Sequence, residues 1–319
     1  MIPLVAIVFS LIIFLNAAEK CLYQRYCARV MYDGSGFRGW QEQSNVRTVQ
    51  GTISRRLSQR FDRNMRVTGA SRTDQGVHAR GQTIHFDLPM DISATYRDQV
   101  NLDRLEYSLN RLFPDDIRIY NISLAPLGNA EQVRDGDLWH ATKSANRKIY
   151  TYRFCTNQFV DPLQRRYCAH VYREFNEEIF TKCLPIFVGT HDFAAYTNRV
   201  EHSTHSLTHS LTHSLTHSGT IEFKEKGFDF CTTKTINNID FFNEGNGYYR
   251  VEVDVESALY RMIRNIMGAS LMVAAGHDPA MNMDTLKYLL HESPNRNFNK
   301  AGSAPAEGLT LEKVFYDHY

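Results

Sequence analysis

The sequence predicts an α+β fold, with antiparallel sheet and helices on one face, from three observations. Residues of β character alternate with polar ones far apart in the chain: Ile84, Phe86 and Leu88 against Thr83, His85 and Asp87, and Tyr249, Val251, Val253 and Val255 against Arg250, Glu252, Asp254 and Glu256. Two apolar stripes have helical spacing instead: Val49, Ile53, Leu57 and Phe61, and Leu259, Met262, Ile263, Ile266, Met267 and Leu271. The two kinds of segment are mixed along the whole chain, as an α+β architecture requires.

Taken in order, Cys27 to Tyr32 reads as a strand that Gly34 and Gly36 break. Thr48 then opens the first amphipathic helix as its cap. Arg55, Arg56, Arg60 and Arg63 fall mainly on the other faces of that helix, which suits either a solvated surface or one that contacts phosphates. Met65 and Val67 suggest a strand, and the charged loop from Gly69 to Gly81 leads into the strand of Ile84, a good place for chemistry. Tyr150 to Phe154 is strand-like, Phe175 to Val188 looks helical, and the alternation from Tyr249 marks a later strand. Ser257 is the expected cap of the second stripe, which ends near Gly276, with Arg261 and Arg264 off the stripe one turn apart.

Composition bounds the function loosely. The 319 residues are 43% hydrophobic and 22% charged, an ordinary globular balance, and the net charge of +1 neither demands nor excludes a nucleic-acid partner. Six cysteines (Cys21, Cys27, Cys155, Cys168, Cys183 and Cys231) form no CxxC pair, which argues for reduced thiols and against structural zinc. Ile2 to Leu15 is apolar but short for a membrane span, and Asn16-Ala17-Ala18 suits signal cleavage. A secretory or plastid-type bipartite signal and a wrongly predicted gene start both fit that segment, so the compartment stays open, and no stable membrane partner is expected. His202 to Ser218 repeats Thr-His-Ser-Leu and places His205, His209, His213 and His217 four apart. Ser, Thr and His form helices poorly, so this polar tract is expected to be a disordered insertion with no catalytic role.

Two motifs compete for the function. Gly34-Ser35-Gly36-Phe37-Arg38-Gly39 matches the dinucleotide fingerprint GxGxxG, but Trp40 to Ser44 intervenes before any helix, whereas the fingerprint needs a helix opening at the glycines. A nucleotide-cofactor enzyme is therefore a remote alternative. The segment Gly69-Ala70-Ser71-Arg72-Thr73-Asp74-Gln75-Gly76-Val77-His78-Ala79 is more specific. It resembles the signature loop of the tRNA pseudouridine synthase A family. The resemblance continues through Tyr32-Asp33-Gly34, Gly39-Trp40-Gln41, Thr48-Val49-Gln50, Gly81-Gln82, His140-Ala141, Ser144-Ala145, Tyr150-Thr151-Tyr152, His191-Asp192-Phe193, Met262 to Gly268 and Pro305 to Leu309. These blocks stand in family order from about Tyr26 onward.

The resemblance implies a fold of two α/β halves sharing an antiparallel sheet with a central active-site cleft, basic enough to hold tRNA. With the apolar segment at residues 1–20 set apart, the chain is expected to form a half at 21–138 that carries the catalytic loop and a half at 139–319 that holds the 202–218 insertion. The resemblance implies an isomerase that converts uridine to pseudouridine in the anticodon stem and loop of tRNA, usually as a homodimer, with no cofactor and no metal. A duplex-flanked uridine must be flipped out to react.

Roles are carried over residue by residue. Asp74 matches the catalytic aspartate, since breaking the bond from ribose C1′ to N1 needs a nucleophile or base that works as an anion. On local pattern alone it would instead cap the turn before Gly76. Arg264 matches the arginine that pairs with the aspartate, with a helix-surface ion pair to Glu252 or Asp254 as the bland alternative. Tyr150 matches the tyrosine that stacks on the target base, and Tyr152, on the same side of the strand, suits the core. Arg72 matches an arginine associated with base flipping. Arg55, Arg56 and Lys143 are candidate tRNA contacts, and His78 is expected to organise the loop. One departure stands out: the family's arginine after His-Ala is here Thr142, followed by Lys143. A catalytically silent RNA-binding paralogue is the other alternative, which intact Asp74, Tyr150 and Arg264 argue against.

Overall fold

The computed structural model describes residues 23–96, 98–126, 139–171, 174–198, 231–292 and 295–317. The apolar N-terminal run and the Thr-His-Ser-Leu repeat lie outside the described residues, within which no helix is long and apolar enough to cross a membrane. The fold is mixed α+β with a large mixed sheet. The chain divides into two compact units: one comprises Met1–Tyr172, Asp240–Asp254 and Pro305–Tyr319, and the other Arg173–Ile239 and Val255–Ala304. Each unit is drawn from separate stretches of the chain, because late strands return to pair with early ones.

In the first unit, β1 (Tyr23–Tyr32) pairs antiparallel with β3 (His78–Pro89), setting Tyr26 opposite Phe86, and with β4 (Ile117–Leu124), setting Val30 opposite Ile119. The two-residue β2 (Thr68–Gly69) joins β3 at His85 and Ile84. The chain later adds β5 (Ala145–Cys155) and the short β6 (Ala169–His170) beside it. In the second unit β7 (Gly189–Asp192) pairs with the start of β8 (Thr233–Gly245), which then runs on into the first unit and is followed by β9 (Tyr248–Val255). The last strand, β10 (Leu309–Tyr316), pairs with both β3 and β5, so the first unit has the strand order β4-β1-β3-β10-β5-β9-β8. The sheet is therefore mixed, since β10 runs parallel to β3 and β6 parallel to β5. An antiparallel sheet was the expectation, and the pairings of β1 with β3 and β4, β2 with β3, β10 with β5 and β7 with β8 meet it; the parallel pairing of β10 had no sequence signal, because a strand returning from the far end of the chain carries no hairpin that would give its direction away.

Helix α1 (Val49–Phe61) starts where expected, with Thr48 Oγ1 accepting from Gly51 N–H, and it ends with Asp62 in the left-handed region. Its stripe of Val49, Ile53, Leu57 and Phe61 is buried. At roughly 1.5–3 kcal/mol for each buried aliphatic or aromatic side chain, that face accounts for the helix better than its propensity does. Helix α2 (Gln99–Leu112), capped by Asp98, buries Leu102, Leu105 and Leu109 and packs on β4.

In the second unit, α3 (Glu177–Cys183) packs on α4 (Met262–Ala275), and α5 (Met283–His291) follows. The predicted helix from Phe175 to Val188 is shorter, because Pro185 sits in a 3-10 turn, Leu184–Phe187, that follows α3. Ser257 does not cap α4. The residue before the helix is Arg261, in the left-handed region at φ 61°, with no side-chain cap. The helix ends where the sequence predicts, at Gly276 with φ 65°.

Candidate active site

The loop from Ala70 to Val77, between β2 and β3, carries Asp74 and is held at several points by the first unit. Ala70 N–H donates to Thr83 O at 2.8 Å, and Trp40 N–H donates to Thr73 O at 3.0 Å. Tyr32 and Thr73 hydroxyls lie 2.7 Å apart, both buried. Gln82, fully buried on β3, clasps the Ser71 backbone from both sides: its Nε2 donates to Ser71 O at 2.6 Å and its Oε1 accepts from Ser71 N–H at 3.2 Å. The turn itself is closed by the backbone, with Val77 N–H donating to Asp74 O at 3.2 Å.

The glycines that mimic a dinucleotide fingerprint serve this loop. A Cβ on Gly34 would collide with Val77 O, and Gly39, at φ 90°, brings its Cα so close that a Cβ would lie 3.0 Å from Thr73 O and 3.2 Å from Gln75 N. Gly34–Gly36 form one 3-10 turn, and the next helix opens only at Val49, so there is no helix N-terminus at the glycines to meet a pyrophosphate. That removes the physical basis of the nucleotide-cofactor alternative. Gly34 N–H also donates to His78 Nδ1 at 3.0 Å. This nitrogen therefore carries no proton, and Asp33 Oδ1 at 3.3 Å meets a neutral ring rather than an ion-pair partner. Burial lowers the His78 pKa against the pull of Asp33. His78 fastens one end of the loop, as expected.

Tyr150 stands on β5 opposite Leu311, and its hydroxyl lies 2.9 Å from Ser71 Oγ. Burial pushes the phenol up to about 12; the Ser71 hydrogen bond opposes that shift, and the nearby negative charge of Asp74 adds to it. The half-buried Asp74, Ser71 and Tyr150 thus belong to one locality of the first unit. Tyr152, two residues on, is fully buried with its hydroxyl donating to Pro305 O at 3.1 Å, the core tyrosine the alternation anticipates.

This constellation, a carboxylate on a rigid turn beside an aromatic ring, occupies the positions of a family signature. A profile of the family described as tRNA pseudouridine synthase matches residues 28–127 and 185–317. The chain belongs to the tRNA pseudouridine synthase family. It is 32% identical over 294 residues to tRNA pseudouridine synthase A 1 of Protochlamydia amoebophila, covering 92% of this chain and 96% of that one. Its similarity to tRNA pseudouridine synthase A of Acetivibrio thermocellus is 31% over 90% of this chain and 97% of the relative, and to that of Streptococcus mutans 31% over 92% and 99%.

The other predicted site residues are distributed as follows. Arg72, beside Asp74, is exposed. Arg55 is exposed and Arg56 half-buried on α1, whose first turn is tied to the loop's neighbour: Gln50 N–H donates to Trp40 O at 3.0 Å. Arg264 belongs to the second unit, on α4, where its Nε donates to Ala304 O at 2.8 Å and its own carbonyl accepts from Ala304 N–H at 2.9 Å. The carboxylates that were its bland alternatives are engaged by other arginines, Glu252 by Arg250 and Asp254 by Arg147. Lys143 is exposed, with its backbone N–H donating to His140 Nδ1 at 3.3 Å.

Thr142 is more than an absent arginine. Its Oγ1 donates to Gly69 O at 2.7 Å, at the entrance to the catalytic loop. It is set there by two imidazoles that meet edge to face: His85 Nδ1 accepts from Ala141 N–H at 3.1 Å, and His140 Nδ1 from Thr142 N–H at 3.1 Å. Sequence reasoning missed the roles of Ser71 and Gln82. The signal for Gln82 was present: it occupies the inward row of Ile84, Phe86 and Leu88, where a polar side chain needs a buried partner.

Proposed function

We propose that this protein isomerises uridine to pseudouridine in the anticodon stem and loop of tRNA, with Asp74 as the reacting carboxylate. The observation that carries the reading is the placement of Asp74 on a backbone-clamped turn, close enough to the buried Tyr150 for its charge to raise the phenol pKa. A flipped uracil stacked on Tyr150 would bring its ribose toward that carboxylate, which acts as an anion whether it attacks C1′, attacks C6 or takes the C2′ proton. The reaction rearranges one nucleoside without net oxidation, so these residues supply what it needs without a redox group.

The supporting roles follow the family match. Arg72 fills the space the base vacates, Arg264 is the family's arginine by match alone, and Arg55, Arg56 and Lys143 bind backbone phosphates, with a homodimer as the working assembly. The test is incubation of the full-length protein with unmodified tRNA, followed by nucleoside chromatography and mapping of the modified positions. Pseudouridine confined to the anticodon arm supports the reading. Binding without any pseudouridine makes the protein a silent RNA-binding paralogue.

A further inference from the structure

The face of β5 that carries Tyr150 also carries a lysine, Lys148. Side chains alternate along a strand, so Lys148, Tyr150, Tyr152 and Phe154 share one face; all four are buried. The opposite face holds the strand's ion pairs and polar contacts: Arg147 with Asp254, Thr151 with Glu312, and Arg153 with Glu244. On the neighbouring strands, Lys148 lies opposite Val314 of β10, and the row of β9 on this face is marked by Tyr249, which stacks on Phe154, and by the buried Val251 and Val253. The titratable groups on this face are Tyr150 and Tyr152 on its own strand and Tyr249 on β9; the charge of Asp74 acts on Tyr150, whereas burial alone acts on Lys148. Lys148 is thus a lysine only 8% exposed, set in an apolar strip, with no ion pair or hydrogen bond to its ammonium among the described residues. Burying a charge in this way is costly and needs a reason.

We propose that the Lys148 ammonium contacts the uracil ring stacked on Tyr150 and stabilises the negative charge the base acquires during isomerisation. The proposal rests on the functional reading above. Two residues along a strand span roughly 7 Å, an interval a lysine's four-carbon stem bridges to reach the rim of a ring lying on Tyr150. The base becomes an anion by any of the three routes open to Asp74. If the carboxylate attacks C1′, the C–O bond forms as C1′–N1 breaks, and the bonding pair leaves on uracil, shared over O2 and O4. If Asp74 takes the C2′ proton, a C1′–C2′ double bond forms and the same pair leaves on uracil. If it adds to C6, the C5–C6 π pair moves to an enolate at O4. C5 then bonds to C1′, in the third route as the C1′–N1 bond breaks; Asp74 is released from C1′ or C6, or in the second route returns its proton to C2′, while C5 loses its proton to solvent and N1 gains one. A fixed cation at the base edge in a dry setting stabilises that charge.

Burial, with no other cause, lowers the Lys148 pKa to about 8. The amine is charged at neutral pH and loses its proton as pH rises through that value, so turnover should decline there too.

The experiment compares wild type, Lys148→Met and Lys148→Arg in the full-length protein, reading tritium release from C5-labelled uridine in tRNA under saturating tRNA, tRNA affinity and thermal stability. Lys148→Met should lose about a hundredfold in kcat, in line with loss of an electrostatic stabiliser, and keep its tRNA Kd within about twofold. Lys148→Arg should recover part of the rate and carry its activity to higher pH, because arginine stays charged. Wild-type turnover in Lys148→Met overturns the proposal. So does a rate loss matched by losses of stability and binding and not relieved by arginine, which would make Lys148 a packing residue. Wild-type protein that releases no tritium refutes the functional reading itself and is thereby distinguished from failure of Lys148 alone.

Discussion

Replacing Gln82 by Leu tests whether the catalytic loop is held from behind. Leucine approximates the volume of glutamine and fits the inward row of β3, so the change removes two hydrogen bonds without opening a large cavity. Both bonds end on the Ser71 backbone, and leaving a buried polar group unpaired costs about 1–3 kcal/mol. Ser71 is half-buried, so water reaches part of it, and the expected loss is about 2–4 kcal/mol in total. Chemical denaturation measures that loss. Turnover should fall further than stability alone explains, because Ser71 bonds Tyr150 and lies three residues from Asp74, and a displacement of about 1 Å can cost roughly a hundredfold in rate. The tRNA Kd should stay near that of wild type. A variant as stable and as active as wild type would refute the claim that Gln82 positions the loop.

Tyr150→Phe should keep base stacking and lose only the Ser71 bond, whereas Tyr150→Ala should also lose roughly 1–3 kcal/mol of tRNA binding; equal affinities in a binding titration would contradict a stacking role. Thr142→Arg should steepen the salt dependence of tRNA binding by about one unit, yet it should not raise turnover, because it removes the hydroxyl that bonds Gly69 O; rate and Kd measured across a salt series separate the two effects. His85 supplies a pH dependence of stability. Burial, then the nearby Arg25 and His140, lower its pKa to about 3, against an ordinary value near 6.5. The unfolded chain therefore takes up this proton first, so the stability is complete above about pH 6.5 and drains away as pH falls toward 3; between pH 6.5 and 5 the loss should be on the order of 1–2 kcal/mol, and a His85→Gln variant should show a flatter profile.

The parts of the fold that were legible in the sequence are those whose signals are local. Thr48, the four-residue spacing from Val49 to Phe61, and Gly276 fix helix ends through side chains and dihedral preferences a few residues away. The start of α4 was misplaced because Ser257 has a capping side chain but lies in an irregular stretch ahead of the helix, while the true boundary falls at Arg261, a residue type that rarely adopts a positive φ. Helix α2 had an Asp98 cap and leucines at helical spacing that went unread, whereas β10 gave no sign of lying between β3 and β5, since Thr310 pairs with His78 and Leu311 with Tyr150, residues far apart in the chain. At the site, the signature loop and its neighbouring blocks singled out Asp74, Tyr150 and His78 from the sequence. What the loop leans on was not: Gly34 and Gly39 look like a phosphate motif until Val77 and Thr73 are seen against them, and Thr142 reads as a missing contact until its hydroxyl is found on Gly69.

The central claim is that the anion of Asp74 performs the chemistry, and Asp74→Asn tests it most directly because the change keeps size and much of the hydrogen bonding while deleting the charge. The measurement is tritium release from C5-labelled uridine in anticodon-arm tRNA, since the new bond at C5 expels that hydrogen, alongside tRNA affinity. Binding should survive while turnover falls about a thousandfold or more, at least roughly 4 kcal/mol of lost transition-state stabilisation. An asparagine variant that releases tritium at the wild-type rate would contradict the account, whatever the geometry around Tyr150.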